Sequence, residues 1–171
     1  MKTILIFIFC LALGFAAQAQ GFRHNRGLFG AEAGYGKFTD KRGSFDVYSA
    51  GAVGYLRKNL YLKGQLTYAQ PEQNRRVGLD ATAAFSPLNI KETVFFNITG
   101  GATASYETPP AEIATKNKFN YGGLVGAELE IFPAHRVAIV GNFSQRIFVN
   151  RNFDMSSSNY SLTVGLRYNF W

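Results

Sequence analysis

The residues that could do chemistry in this chain are few and far apart. Histidine occurs twice, as His24 and His135, and the single cysteine is Cys10. A nucleophile–histidine–acid set needs its members within hydrogen-bond reach. His24 precedes the first alternating segment and His135 sits in a Pro133-Ala134-His135-Arg136 turn, so neither is placed to complete such a set. Two separated histidines and one early cysteine give no recognisable metal-ligand spacing. Glu128 and Glu130 share a strand face and could hold a cation, but pairing with arginines on the same side is the expected fate of buried carboxylates. The reading is therefore of a non-enzymatic protein with no assigned catalytic residue, cofactor site or metal site. Gly30-x-x-x-Gly34 has the spacing of a helix-packing signal, yet it lies in a strand pattern, where that spacing carries no such meaning.

The charged residues are more informative as a set. Glu32, Lys63, Arg76, Asp80, Glu128, Glu130, Arg146 and Arg167 all occupy one phase of a strict period-two alternation, which puts one residue set on each face of a strand. Leu60, Leu62, Gly64, Leu66 and Tyr68 oppose Tyr61, Lys63, Gln65 and Thr67. Val77 to Phe85, Val94 to Tyr106, Phe119 to Ile131, Val137 to Phe143 and Tyr160 to Phe170 repeat the pattern. Phe29, Ala31, Ala33 and Tyr35 form a shorter apolar face against Glu32. Residues 45–56 are apolar on both faces, and their register stays open. The total is eight strands, and an even number suits a single-chain bacterial barrel.

Connections follow at roughly 39–44, 70–75, 107–117 and 149–158 at one end, and at 57–59, 86–92 and 133–135 at the other. Pro71, Pro87, Pro109, Pro110 and Pro133 are all expected in these connections, because a proline inside a ladder removes a donor. The outer connections 107–117 and 149–158 are the candidate binding surfaces, since exposed loops commonly carry function.

A soluble barrel would also alternate, so the environment of each face has to be argued separately. Aromatics fall near the expected strand ends (Tyr35, Phe38, Tyr55, Tyr61, Tyr68, Phe85, Tyr106, Phe119, Phe132, Phe148, Tyr160 and Phe170), small residues fill several strand middles, and the chain closes on an amphipathic aromatic strand. Interfacial aromatic girdles and short alternating segments are the marks of a membrane barrel. An eight-stranded barrel is narrow enough for side chains to fill. The expected fold is an all-β, eight-stranded, antiparallel up-and-down transmembrane β-barrel in the cell outer membrane, with lipid outside and a charge-paired interior without a continuous pore.

The N-terminus fits export. Lys2, an apolar run from Ile4 to Ala16 and a small-x-small Ala17-Gln18-Ala19 read as a signal peptide over residues 1–19, leaving 20–171 as the barrel domain. The run is too short for a comfortable helical span of about 20 residues, although an uncleaved anchor is the alternative. Cys10 lies within the leader and lacks the small residue that usually precedes a lipid-modified cysteine. The net charge of +7 gathers in the connections, at Lys41 and Arg42, Arg57 and Lys58, Lys91, Lys116, Lys118 and Arg151. Contact with anionic headgroups is one reading and ordinary solvated loop charge is the other. No basic run exceeds two residues and no nucleic-acid-binding motif is present, so direct nucleic-acid binding is not expected. The number of subunits does not follow from these features.

The second half of the chain resembles a known family. Phe95-Phe96-Asn97-Ile98-Thr99-Gly100-Gly101-Ala102 leading to Tyr106-Glu107-Thr108, then Asn117 to Gly123, Glu128-Leu129-Glu130-Ile131-Phe132, Arg136 to Val140, Gln145-Arg146 and the closing Gly165 to Phe170 are similar to the TraO-type conjugal transfer proteins of Bacteroidetes conjugative transposons. Ser105 stands where that family has glycine. The resemblance spans roughly residues 60–171 and implies an outer-membrane component of a conjugative DNA transfer apparatus, with outer-membrane lipid and other apparatus proteins as partners. A generic small outer-membrane barrel for adhesion or envelope stability is the alternative.

Overall fold

The computed structural model describes residues 27–41, 43–70, 75–108, 118–149 and 158–170. The leader, His24, and the centres of the long connections lie outside that set. The strands are β1 (Phe29–Asp40), β2 (Gly43–Arg57), β3 (Leu60–Ala69), β4 (Arg75–Ile90), β5 (Val94–Thr108), β6 (Lys118–Ile131), β7 (Val137–Phe148) and β8 (Ser158–Phe170). Each pairs antiparallel with its sequence neighbour, and β1 closes the ring against β8. Closure leaves no free edge along the cylinder, which is what a sheet needs where no water can satisfy its backbone.

The faces sort as the alternation requires. All eight charges singled out by phase point inward and are buried, from Arg167 and Glu130 at 0 % to Glu32 at 7 % exposure. The opposite phase supplies the exposed apolar surface, including Leu66, Leu79, Ile98, Val125, Leu162, Val164 and Leu166. Residues 45–56 resolve with Val47, Ser49, Val53 and Tyr55 inside and Tyr48 outside. One cross-strand row of the outer surface is small across six strands. Ala31, Ala52, Gly64, Ala81, Ala102 and Gly123 are successive cross-strand partners.

Three expectations need correction. Pro87 lies inside β4, and the connection expected at 86–92 shrinks to the hairpin turn after Ile90. The proline is tolerated because β3 has already ended there, with Leu60 paired to Phe85, and the β4–β5 register shifts between Phe85 and Leu88. At such an edge or bulge no ladder bond is lost. The turn places Lys91 and Glu92 at φ 49° and 54°, and the Thr93 amide donates to the Ile90 carbonyl at 2.9 Å. This is the two-residue hairpin geometry that normally selects Asn-Gly.

The aromatic girdle is also thinner than expected. Tyr35, Tyr68, Phe85, Tyr106, Phe119, Tyr160 and Phe170 are on the outside, but Phe38, Tyr55, Tyr61, Phe132 and Phe148 are buried at 5 % exposure or less. A strand-end aromatic in the inward phase closes the lumen and does not meet the lipid interface. Finally, β5 runs to Thr108, so Glu107, expected at the start of a loop, is a buried lumen residue.

Glycine is required where neighbouring strands approach most closely. A Cβ on Gly122 would stand 1.9 Å from the Ile147 carbonyl oxygen of the neighbouring strand. Both atoms would be locked in backbone, so the β6–β7 ladder must part to admit a methyl. Gly122→Ala is expected to lower stability by about 1–3 kcal/mol, the usual range for overpacking. Hydrogen exchange should accelerate at the β6 and β7 amides around the site and remain unchanged in β3 and β4.

Candidate functional site

The lumen holds most of the polar side chains, and it divides into two storeys. The lower storey lies toward the barrel end that bears the described chain ends. Arg167 of β8 sits at its centre. Its Nε and Nη2 donate to Glu32 Oε2 at 3.0 and 2.6 Å, and Nη2 also donates to Glu128 Oε1 at 2.7 Å. Nη1 lies 2.8 Å from Glu130 Oε1 and donates to the Tyr55 hydroxyl at 3.1 Å. The guanidinium also stacks over the Tyr61 ring at 5.2 Å. Lys63 of β3 donates to Glu128 and lies 3.6 Å from Glu32. The Tyr61 hydroxyl donates to Glu128. Asn97 Nδ2 donates to Glu130 at 2.6 Å, and the Asn97 carbonyl accepts from Ser86.

These contacts tie together seven strands. Only β7 contributes no polar group, and it offers Val140 and Ala138, which pack with Phe95 and Phe132. At this level the side chains from β2 to β8 include Val53, Tyr61, Ala84, Asn97, Glu130, Val140 and Arg167, none above 1 % exposed. A layer in which water touches none of these residues is solid across the barrel. Isolated buried charges are costly, and this set is affordable only because each ion meets partners of opposite sign and good geometry.

The upper storey is looser. Arg146 of β7 reaches across to Asp80 of β4, with Nη2 to Oδ2 at 2.6 Å and Nε to Oδ1 at 3.3 Å, and its Nη1 donates to Ser161 at 2.9 Å. Thr103 donates to Asp80 at 2.6 Å. Above this bar, Arg76 is gripped between the rings of Phe38 and Phe148, 4.5 and 5.1 Å from their centres. Buried side-chain atoms without a hydrogen-bond partner include Ser49 Oγ, Arg76 Nη1 and both amide atoms of Asn159. The two storeys thus differ in degree: the lower one pairs each of its ions with opposite charges, while the upper one leaves more of its polar atoms unpartnered.

Sequence phase identified every charge of both storeys except Glu107. It did not identify the hydroxyls of Tyr55 and Tyr61 as members of the lower network, because tyrosine at a strand end also suits a lipid interface. Glu128 and Glu130 do converge, but on Arg167 and Lys63, as the pairing argument anticipated. His135 is exposed in the β6–β7 connection, at the end that bears the described chain ends, and His24 lies outside the described residues.

A closed antiparallel ring with a continuous apolar exterior and an ionic interior defines the class: this is an eight-stranded β-barrel of the outer-membrane type. Solved structures bear the same fold at low sequence identity. The N-terminal β-barrel domain of Pseudomonas aeruginosa OprF aligns with a TM-score of 0.65 and 12 % identity over 85 % of this chain and 98 % of that one. Ail, the attachment invasion locus protein of Yersinia pestis, gives 0.56 and 11 % over 85 % and 99 %. The outer membrane enzyme PagL gives 0.53 and 10 % over 81 % and 98 %. No protein-family model matches the chain, and no curated protein does either.

Proposed function

We propose that this chain is exported by a leader over residues 1–19 and serves as a non-enzymatic barrel of the outer membrane, with a role in envelope stability or adhesion. One observation carries the reading. The lower storey is filled from wall to wall by side chains that water does not reach, so the cylinder is built as an anchor and its function resides at its ends. Similarity of fold to Ail, an attachment invasion locus protein, supports this class of role. The fold is compatible with enzymes as well, as PagL illustrates. Against that, His135 lies at the end expected to face the periplasm, and no group of side chains suited to acyl transfer surrounds it among the described residues.

The test is electrical. Purified protein in planar bilayers is expected to give no large, steady conductance, whereas a sustained open channel would remove the anchor reading. Adherence of cells with and without the gene then separates adhesion from envelope support. A second reading, a component of the conjugative transfer apparatus, rests on the resemblance of residues 60–171 to TraO-type proteins. Deletion of the gene should lower mating frequency if that reading holds, and an unchanged frequency would exclude it.

A further inference from the structure

At the end of the barrel that bears the described chain ends, the outer wall is notched between β1 and β2. The groove has a volume of about 400 Å³ and is lined by Gly27, Phe29, Gly54, Tyr55, Leu56 and Arg57. Phe29 and Gly54 are cross-strand partners in the outward phase, so the notch arises where a glycine stands beside a large ring. Phe29 and Leu56 are exposed, and so is Phe170, the partner of Phe29 on β8. The walls of the groove are therefore continuous with the apolar, lipid-facing exterior.

One charged side chain stands at the mouth of this apolar notch. Arg57 shares the phase of the inward Val53 and Tyr55, yet the β2–β3 register shifts between Tyr55 and Arg57 and the arginine is exposed. Irregularities of this kind re-aim a side chain. Arg57 has no acidic partner among the described residues, because Glu92 of the neighbouring turn is engaged by Lys58. Lys91 and Arg136 add further exposed cations to the same rim. The best occupant is apolar along its length and negative at one end. Water or a small ion would serve the guanidinium and leave the walls uncovered. A zwitterionic headgroup would bring an ammonium, and no carboxylate lines the groove to receive it. The chain before Gly27 offers no counter-charge either, since residues 20–26 contain Arg23 and Arg26 and no acid.

We propose that one anionic phospholipid docks in this groove, an acyl chain lying over Gly54 between Phe29 and Leu56 and the phosphate resting on Arg57. A guanidinium presents paired N–H donors that match phosphate oxygens, and basic clusters beside a membrane attract anionic lipids. The groove fixes one lipid in place, whereas the rest of the exterior is solvated by exchanging chains.

The experiment uses the full folded barrel in detergent, titrated with phosphatidylglycerol and with phosphatidylcholine of the same acyl chains and followed by native mass spectrometry. One phosphatidylglycerol should be retained, with an affinity about tenfold above that of phosphatidylcholine, the least expected from a hydrogen bond to a charged group. Arg57→Gln should abolish that preference. Gly54→Leu should abolish retention with every charge in place. A Cβ at Gly54 meets the Phe29 ring at 3.4 Å and no backbone atom, so this variant fills the groove without disturbing the ladder. The proposal is overturned if the two lipids are retained equally. It is overturned also if Gly54→Leu retains phosphatidylglycerol as the parent does, which would reduce the effect to general attraction by the basic rim. Nuclear Overhauser contacts from Phe29 and Leu56 to residues 20–26 in place of acyl chains would overturn it too, by showing that the chain fills its own groove.

Discussion

Replacing Arg167 with methionine is expected to destabilise the barrel by about 3–5 kcal/mol, the range seen when one partner of a buried ion pair is removed. The reason lies in the charge count of the lower storey. Among the described residues, Glu32, Glu128 and Glu130 meet the cations Lys63 and Arg167 there. Without Arg167, three carboxylates face one ammonium in a layer that water does not reach. Methionine keeps the apolar stem and most of the side-chain volume, so the loss reports mainly the missing charge. Unfolding by urea in detergent or lipid, followed by tryptophan-independent circular dichroism, measures it. Arg167→Lys should recover only part of the loss, because an ammonium cannot reproduce the forked contacts to Glu32, Glu128, Glu130 and Tyr55. Adding Glu130→Gln and Glu128→Gln to Arg167→Met should restore stability relative to the single variant. If Arg167→Met unfolds like the parent, the lower storey does not depend on its central cation.

The second large effect is on the outside. Val164 lies at the middle of β8 and is 60 % exposed, which in a membrane means exposed to acyl chains. Val164→Arg should cost about 2–4 kcal/mol in a bilayer, the range for a cation at the midplane of such a barrel. Ile90→Arg provides the control. Ile90 is 65 % exposed but sits at the β4–β5 turn, where the same substitution should cost about 0–1 kcal/mol. The comparison turns on depth, since neither side chain packs in the core. Equal, small losses at both positions, with the protein folded and soluble without detergent, would show that the apolar exterior is not solvated by lipid.

The sequence determined which face is which for every strand but β2, whose residues 45–56 are apolar on both sides. A period of two leaves only one assignment per strand once a few charges fix the phase, and so Glu32, Lys63, Asp80 and Arg167 were bound to share the interior wherever the strands ended up. It also determined the number of strands, because turn-forming residues separate the alternating runs. Three matters were decided only by the folded chain. Strand ends depend on where a neighbour stops pairing, which is how Pro87 enters β4 and Glu107 enters the lumen. Lys91 and Glu92 form a tight turn without the glycine or asparagine that would have advertised it, because the extended β4–β5 ladder holds them there. The partners of each buried charge depend on stagger: Arg167 meets Glu32 through direct cross-strand pairing but meets Glu128 and Glu130 over the intervening β7. A one-dimensional pattern carries the direction of a side chain, whereas the distance between two inward side chains is set by the closure and tilt of the whole cylinder.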